Sequence, residues 1–211
     1  MPRSRQLNEE MRERSRTQIL AAARRRFAAD GYFSCKVADI AREAEMSTGN
    51  VYWYFESKED ILKAVLRAGF EAQASVLEAA ADHPGSSREK LRHLVRAYLA
   101  MSREQHDFTN IFISLLGHSG MSFFQRLGFD MTEIGARYHA TLAALLEEGQ
   151  AEGVVLDAPP ELLVIFFFSF FNGLMITYGE DWLTYEPEHF EAAALRLIGG
   201  SKTTDKVADV D

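Results

Sequence analysis

The stretch Val37–Phe55, VADIAREAEMSTGNVYWYF, decides how the chain is read. Val37, Ile40, Ala41 and Ala44 recur at helical spacing and share one face. Glu45 and Met46 break that pattern. Ser47 follows, and a serine hydroxyl takes up a free backbone N–H at a helix start. In the second helix Val51 and Phe55 lie four apart and face inward together, so Thr48, Asn50 and Trp53 point elsewhere. A short helix that hides Val and Phe while displaying Asn and Trp is built to meet a partner. A helix–turn–helix lays such a helix in the DNA major groove.

Upstream, Ile19, Leu20, Ala23 and Phe27 form an apolar stripe, which predicts a helix from about Glu10 to Ala29. Gly31 ends it, and Tyr32 and Phe33 pack the corner as core aromatics. Residues 1–9 contain Arg3 and Arg5 and read as a mobile basic arm. Downstream, Ser57 precedes a helix from Lys58 to about Ala81. Glu59 and Asp60 sit in its first turn, where acids suit the helix dipole.

From about Thr17 to Leu62 the chain resembles the DNA-binding domain of the TetR family of transcriptional regulators. The run ILAAARRRFAADGYF, the VADIAREA helix and MSTGNVYWYFESKEDIL carry the resemblance. It covers roughly the first third of the chain; the remainder is similar only in helical layout and length. It implies Thr48, Gly49, Asn50, Tyr52, Trp53 and Tyr54 at the groove and Lys58 at a phosphate. The chemistry agrees: Gly49 lets the backbone approach, Asn50 can bond base edges or phosphate, and Trp53 offers apolar contact to a thymine methyl or a sugar. The tyrosine hydroxyls reach phosphates, although Tyr52 also reads as partly core. Lys36 is a further phosphate candidate. The resemblance also implies a repressor released by a small molecule, while the residues themselves do not separate repressor from activator.

Two positions depart from the family pattern. Cys35 stands where Thr is common. A thiol is a weaker donor, so Cys35 reads either as a redox-sensing thiol at a helix N-terminus or, better, as a small buried hydrophobe. Glu45 stands where Gly is common. Either its backbone takes a positive φ, which disfavours Glu, or the preceding helix runs slightly longer.

The 211 residues are 47% hydrophobic and 11% aromatic, enough for a sizeable core. A single cysteine excludes an intrachain disulfide and suits a reducing cytoplasm. The first thirty residues hold no continuous apolar segment, so no signal peptide is expected, and Glu9, Glu10, Glu13 and Asp30 argue against a mitochondrial presequence. The net charge of −8 is unevenly spread. Residues 1–26 carry eight arginines against three glutamates, whereas residues 61–211 carry a net −9. Only the basic end should approach phosphates.

Beyond Ala81, Asp82–Ser86 breaks the chain. Ser86 and Glu89 form a capping box for a helix carrying Leu91, Leu94, Val95, Tyr98, Leu99 and Met101. The chain turns near Gln105–Asp107, and a short helix follows with Phe108, Ile111, Phe112, Leu115 and Leu116. After Gly117–Gly120, one long helix is predicted from Met121 to about Glu152, kinked near Gly128 or Gly135. Asp157–Pro160 is a linker, Pro187–Ile198 the last helix, and residues 199–211 read as disordered. The prediction is an all-α protein of about nine helices. Residues 1–57 form a three-helix, helix–turn–helix DNA-binding domain, 58–199 a helical ligand-binding and dimerisation domain, and 200–211 a tail.

Leu162–Tyr178, LLVIFFFSFFNGLMITY, is apolar all round and must be buried on every side. Its uninterrupted apolar part is shorter than the roughly 18–20 residues of a membrane span. One face can pack on its own body; the others predict a homodimer, built with the last helix. Phe70, Tyr98, Met101, Phe108, Phe112, Phe124, Tyr138, Phe168, Asn172 and Met175 are candidates for a ligand pocket as a group, though each alone reads as ordinary core. Asn172 needs a partner, which could be a ligand, a neighbouring helix or a second subunit. Between Arg137 and Arg196 there is no Arg or Lys. The expected effector is therefore hydrophobic, aromatic or lipid-like, and neutral or cationic.

Two rival functions are weighed. A helical metal-carboxylate enzyme needs two Glu-x-x-His motifs; the chain has Glu186-x-x-His189, with Pro187 inside it. His83, His93, His106, His118 and His139 show no zinc-like spacing, and no phosphate loop or nucleophile elbow appears. No catalytic residue, metal or cofactor is expected. A structural helical dimer without a DNA role leaves Asn50 and Trp53 on an outward face unexplained.

Overall fold

The computed structural model describes residues 2–104, 106–178 and 186–199. Among them are ten α-helices and no strand; Val155 and Gly199 form an isolated antiparallel bridge. The helices are α1 (Pro2–Asp30), α2 (Val37–Glu43), α3 (Thr48–Tyr54), α4 (Lys58–Ala81) and α5 (Ser87–Glu104). They continue with α6 (His106–Ser119), α7 (Met121–Arg126), α8 (Met131–Ala151), α9 (Pro160–Tyr178) and α10 (Pro187–Ile198). The described residues form two compact units: residues 2–70 with 107–129, and residues 71–104 and 106 with 130–178 and 186–199. The predicted tail, residues 200–211, lies outside the described residues.

In the first unit, α1 packs on α2 and α2 on α3. Ile19, Ala23, Phe27, Ile40, Val51 and Leu62 are buried there. Helix α1 begins at Pro2 rather than at Glu10, so the predicted arm is helical. Proline suits the first helical position, and no breaker follows before Gly31.

Helix α2 ends in a Schellman motif. Met46 N–H donates to Ala41 O at 2.8 Å and Glu45 N–H to Arg42 O at 3.1 Å. Glu45 takes φ 54°, the one positive φ outside glycine among the described residues. Of the two readings of Glu45, the left-handed turn is the one observed. Gln18 on α1 adds a side-chain amide to Ala44 O at 2.8 Å, satisfying a carbonyl at the same helix end.

The predicted long helix from Met121 to Glu152 is two helices. Gly128 takes φ 86°, and Asp130 starts α8 by accepting from Thr132 N at 2.9 Å and Glu133 N at 3.1 Å. A glycine stop followed by an aspartate cap outweighs the favourable composition on either side. Gly135 sits inside α8.

In the second unit α5 packs on α8 and α10, and α9 on α8 and α10. Its core contains Leu94, Tyr98, Leu146, Leu163, Phe167 and Phe171. The capping box at α5 is formed, with Ser86 N–H and Oγ both donating to Glu89 Oε2 at 2.8 Å. Helix α9 buries Leu163, Val164, Phe167 and Phe171 and leaves Leu162, Ile165, Phe166 and Ile176 exposed, Ile176 at 61%.

Candidate nucleic-acid interface

Helix α3 is fixed from below and open above. Ser47 Oγ accepts from Asn50 N–H at 3.1 Å, and Phe55 N–H closes the far end on Val51 O at 3.0 Å. Val51 is fully buried and Phe55 nearly so. That anchorage turns Thr48, Gly49, Asn50, Tyr52 and Trp53 to solvent, with Tyr54 half-buried. Trp53 is 64% exposed and Tyr52 51%, a large aromatic area left bare on a small helix. Tyr52 is therefore not core.

Basic groups border this face. The Arg12 guanidinium lies 4.8 Å from the centre of the Trp53 ring and Arg16 5.3 Å from that of Phe55. Such cation–π contacts hold arginines beside the helix while leaving their charge available. The sequence reading of the basic α1 did not single out Arg12, since nothing in its spacing shows that it meets Trp53. Lys36 is exposed, as a phosphate contact requires. Asp39 reaches back from the first turn of α2 to Lys36 N–H at 3.3 Å. An ammonium has no lone pair with which to return the bond.

Lys58, expected at a phosphate, is held by its own chain. Its Nζ donates to the carbonyls of Tyr32 at 2.8 Å, Phe33 at 3.3 Å and Cys35 at 2.9 Å, and lies 4.5 Å from the Tyr32 ring centre. These bonds tie the corner between α1 and α2 to the start of α4. Cys35 is 2% exposed, and its thiol donates to Lys36 O at 3.6 Å. Burial, helped by Asp30, pushes the thiol pKa up against the opposing pull of Lys58. Of the two readings of Cys35, the geometry supports the small buried hydrophobe.

The candidate ligand residues fall into two groups. Phe70, Phe108, Phe112 and Phe124 belong to the first unit and interlock there with Phe129. Gly69 is required for this packing, because a Cβ there would run into the Phe108 ring. Tyr98, Met101, Tyr138 and Phe168 belong to the core of the second unit. The Tyr98 phenol is pushed well above its usual range by burial and then by Tyr138. Asn172 is not inside that core: it is exposed, because α9 is covered on one face only. The side chain of Met175 lies outside the described residues.

Glu186 and His189, the single Glu-x-x-His, are both exposed, and Glu186 is the N-cap residue of α10. Among the described residues no group of three or more His, Cys, Asp or Glu is placed to hold a metal, and no helix is long and apolar enough to cross a membrane.

An all-helical chain with a capped, solvent-facing recognition helix after a tight turn defines a helix–turn–helix DNA-binding protein. The profile of "Bacterial regulatory proteins, tetR family" matches residues 19–65, and that of "Tetracyclin repressor-like, C-terminal domain" matches residues 84–178. The HTH-type transcriptional repressor Rv1474c of Mycobacterium tuberculosis is 30% identical over 190 residues, 88% of this chain and 91% of that protein. The chain belongs to the TetR family of bacterial transcriptional regulators. The HTH-type transcriptional regulator HbdR of Aromatoleum sp. (strain CIB) is 36% identical over 97 residues, which are 46% of this chain and less than half, 42%, of HbdR. Among solved structures, the transcriptional regulator FadR of Bacillus subtilis in complex with stearoyl-CoA shares the fold, with TM-score 0.68 and 23% identity over 86% of this chain and 97% of that one.

Proposed function

We propose that this protein is a dimeric repressor that binds a palindromic operator through α3 and is released by a small hydrophobic effector. The observation that carries the reading is the pair of faces on α3. Val51 is buried, while Asn50 and Trp53 face solvent with Arg12 alongside. Thr48, Gly49, Asn50, Tyr52 and Trp53 then meet the groove, with Tyr54 and Lys36 at phosphates. Lys58 acts mainly by holding the corner at Tyr32–Cys35. Residues 1–57 serve DNA binding, and residues 58–199 serve dimerisation and effector binding. With DNA as its partner, the protein works in the cytoplasm.

The exposed face of α9 supports the dimer. Leu162, Ile165, Phe166 and Ile176 share it with Asn172 and the small residues Ser169 and Gly173. Full burial of a large aliphatic or aromatic side chain is worth about 1.5–3 kcal/mol. A second copy of α9 meeting this face would cover the row and give Asn172 its partner. Two α3 helices related by a two-fold axis read half-sites related by the same symmetry.

The effector reading rests on the aromatic clusters. Phe70, Phe108, Phe112 and Phe124 lie in the same compact unit as α1–α3, on the first half of α4 and on α6 and α7. A ligand that parts them bears directly on the helices below. The stearoyl-CoA bound by the FadR of similar fold is consistent with a lipid-like effector.

The test is selection of bound duplexes from a random pool by the purified chain at physiological salt. A two-fold symmetric motif is the expected result; recovery of no enriched motif overturns the proposal. The duplex so obtained then serves to screen fatty acids, their thioesters and neutral aromatics for release. Release only by inorganic anions or metal ions overturns the effector part alone.

A further inference from the structure

Arg12 and Arg16 lie one turn apart on α1 and so share one face of it. Both sit over aromatic rings of the recognition segment. Arg16 lies 5.3 Å from the ring centre of Phe55, and Arg12 lies 4.8 Å from that of Trp53. The two rings differ in what they need. Phe55 is 5% exposed and belongs to the core, so Arg16 closes an edge that is already packed. Trp53 is 64% exposed on a helix of seven residues, so the core does not hold its indole. Tyr54 meets the indole edge-on, with ring centres 4.7 Å apart and planes at 86°, but it is the next residue on the same helix. Arg12 reaches it from another helix, α1.

A bare indole turns about its side-chain torsions, and ordering such a side chain on binding costs affinity. A contact made before binding removes part of that cost. A guanidinium over a ring is drawn to the ring quadrupole and keeps its own charge. An arginine that served only to attract phosphate would gain nothing from lying over Trp53. Such a residue would contribute equally whether the indole were there or not.

We propose that Arg12 is a positioning residue for operator reading: it holds the Trp53 indole in the orientation that α3 presents to the groove. The proposal rests on the reading of α3 as the groove helix. Arg12 acts through Trp53, so its worth to binding exists only while the indole is present.

Arg12→Gln tests this. Arg12 is exposed, and glutamine matches arginine in helix propensity, so α1 is kept while the cation is lost. Trp53 and Trp182 are the two tryptophans of the chain, so Trp182→Phe leaves Trp53 as the sole indole emitter. In that full-length background, time-resolved anisotropy of the free protein should show faster local motion of Trp53 in Arg12→Gln than in its parent. On the duplex selected from the random pool, Arg12→Gln should lose about two- to fivefold in affinity, the size of an exposed cation–π contact. The same substitution made on top of Trp53→Ala should cost nothing further, the signature of two residues acting as one. Equal Trp53 motion in the parent and in Arg12→Gln overturns the proposal. So does a loss of the same size with and without Trp53, which is the result for a phosphate contact alone. Recovery of no enriched motif overturns the operator reading instead, and the anisotropy of the free protein still decides whether Arg12 holds the ring.

Discussion

The Lys58 ammonium donates to the backbone carbonyl of Tyr32 at 2.8 Å, across 26 residues of chain. A cation in the first turn of a helix is unfavourable to the helix dipole. Here the carbonyls of Tyr32, Phe33 and Cys35 offset that, and they use the donors an ammonium has. Lys58→Met is therefore expected to cost about 1.5–3 kcal/mol, the range for hydrogen bonds to a charged group. In a chain of this size about 1 kcal/mol lowers the thermal midpoint by roughly 2–4 °C. Lys58→Arg should not restore it, since a planar guanidinium cannot replace a compact ammonium among these carbonyls. Calorimetric melting of the three proteins checks both statements.

Glu45→Gly is expected to stabilise the protein. A left-handed residue other than glycine costs roughly 1–2 kcal/mol, and glycine returns about 0.5–1 kcal/mol of that through its larger unfolded-state entropy. The net gain is about 0.5–1 kcal/mol, seen as a rise of a few degrees in the midpoint. An unchanged or lowered midpoint would show that the Glu45 side chain makes a compensating contact.

Cys35 is expected to resist thiol reagents in the folded protein. Burial first, and Asp30 second, raise its pKa above the usual thiol value, so the reactive thiolate is scarce at neutral pH. The shift favours the protonated thiol in the folded state. Its contribution to stability is complete below the unfolded thiol pKa and is lost as pH rises through the folded one. Labelling with a chromogenic disulfide at pH 8 should be slow in buffer and fast in guanidinium. Rapid labelling of the folded chain would reopen the redox reading.

Phe166→Glu is expected to break the dimer proposed through α9. The residue is exposed in the single chain, so the variant should keep its helical signal. Light scattering should move from twice the 23.8 kDa chain mass toward one. Operator affinity should fall with it, because each α3 then reads its half-site alone. A variant that stays dimeric excludes this face.

Much of the architecture is legible in the sequence because local signals agree with one another. Ser47 caps α3, Ser86 and Glu89 box α5, and Val37, Ile40 and Ala41 are buried as their period requires. The break at Gly128 was harder to read, because the helix formers on both sides outnumber one glycine and one capping aspartate. The contacts of Lys58 and of Arg12 were not legible, since both join residues far apart in sequence. The exposure of Asn172 depends on which face of α9 the other helices cover. A uniformly apolar helix carries no period to reveal that.

The most direct test of the account is the affinity of Asn50→Ala for the selected duplex at physiological salt, measured by fluorescence anisotropy beside a circular dichroism spectrum. Asn50 is exposed, and its backbone N–H already serves the Ser47 cap, so losing the side chain spares the fold. A good bidentate base contact is worth about 1–3 kcal/mol, so the account predicts about a tenfold loss or more with unchanged helicity. Wild-type affinity in the variant would contradict it.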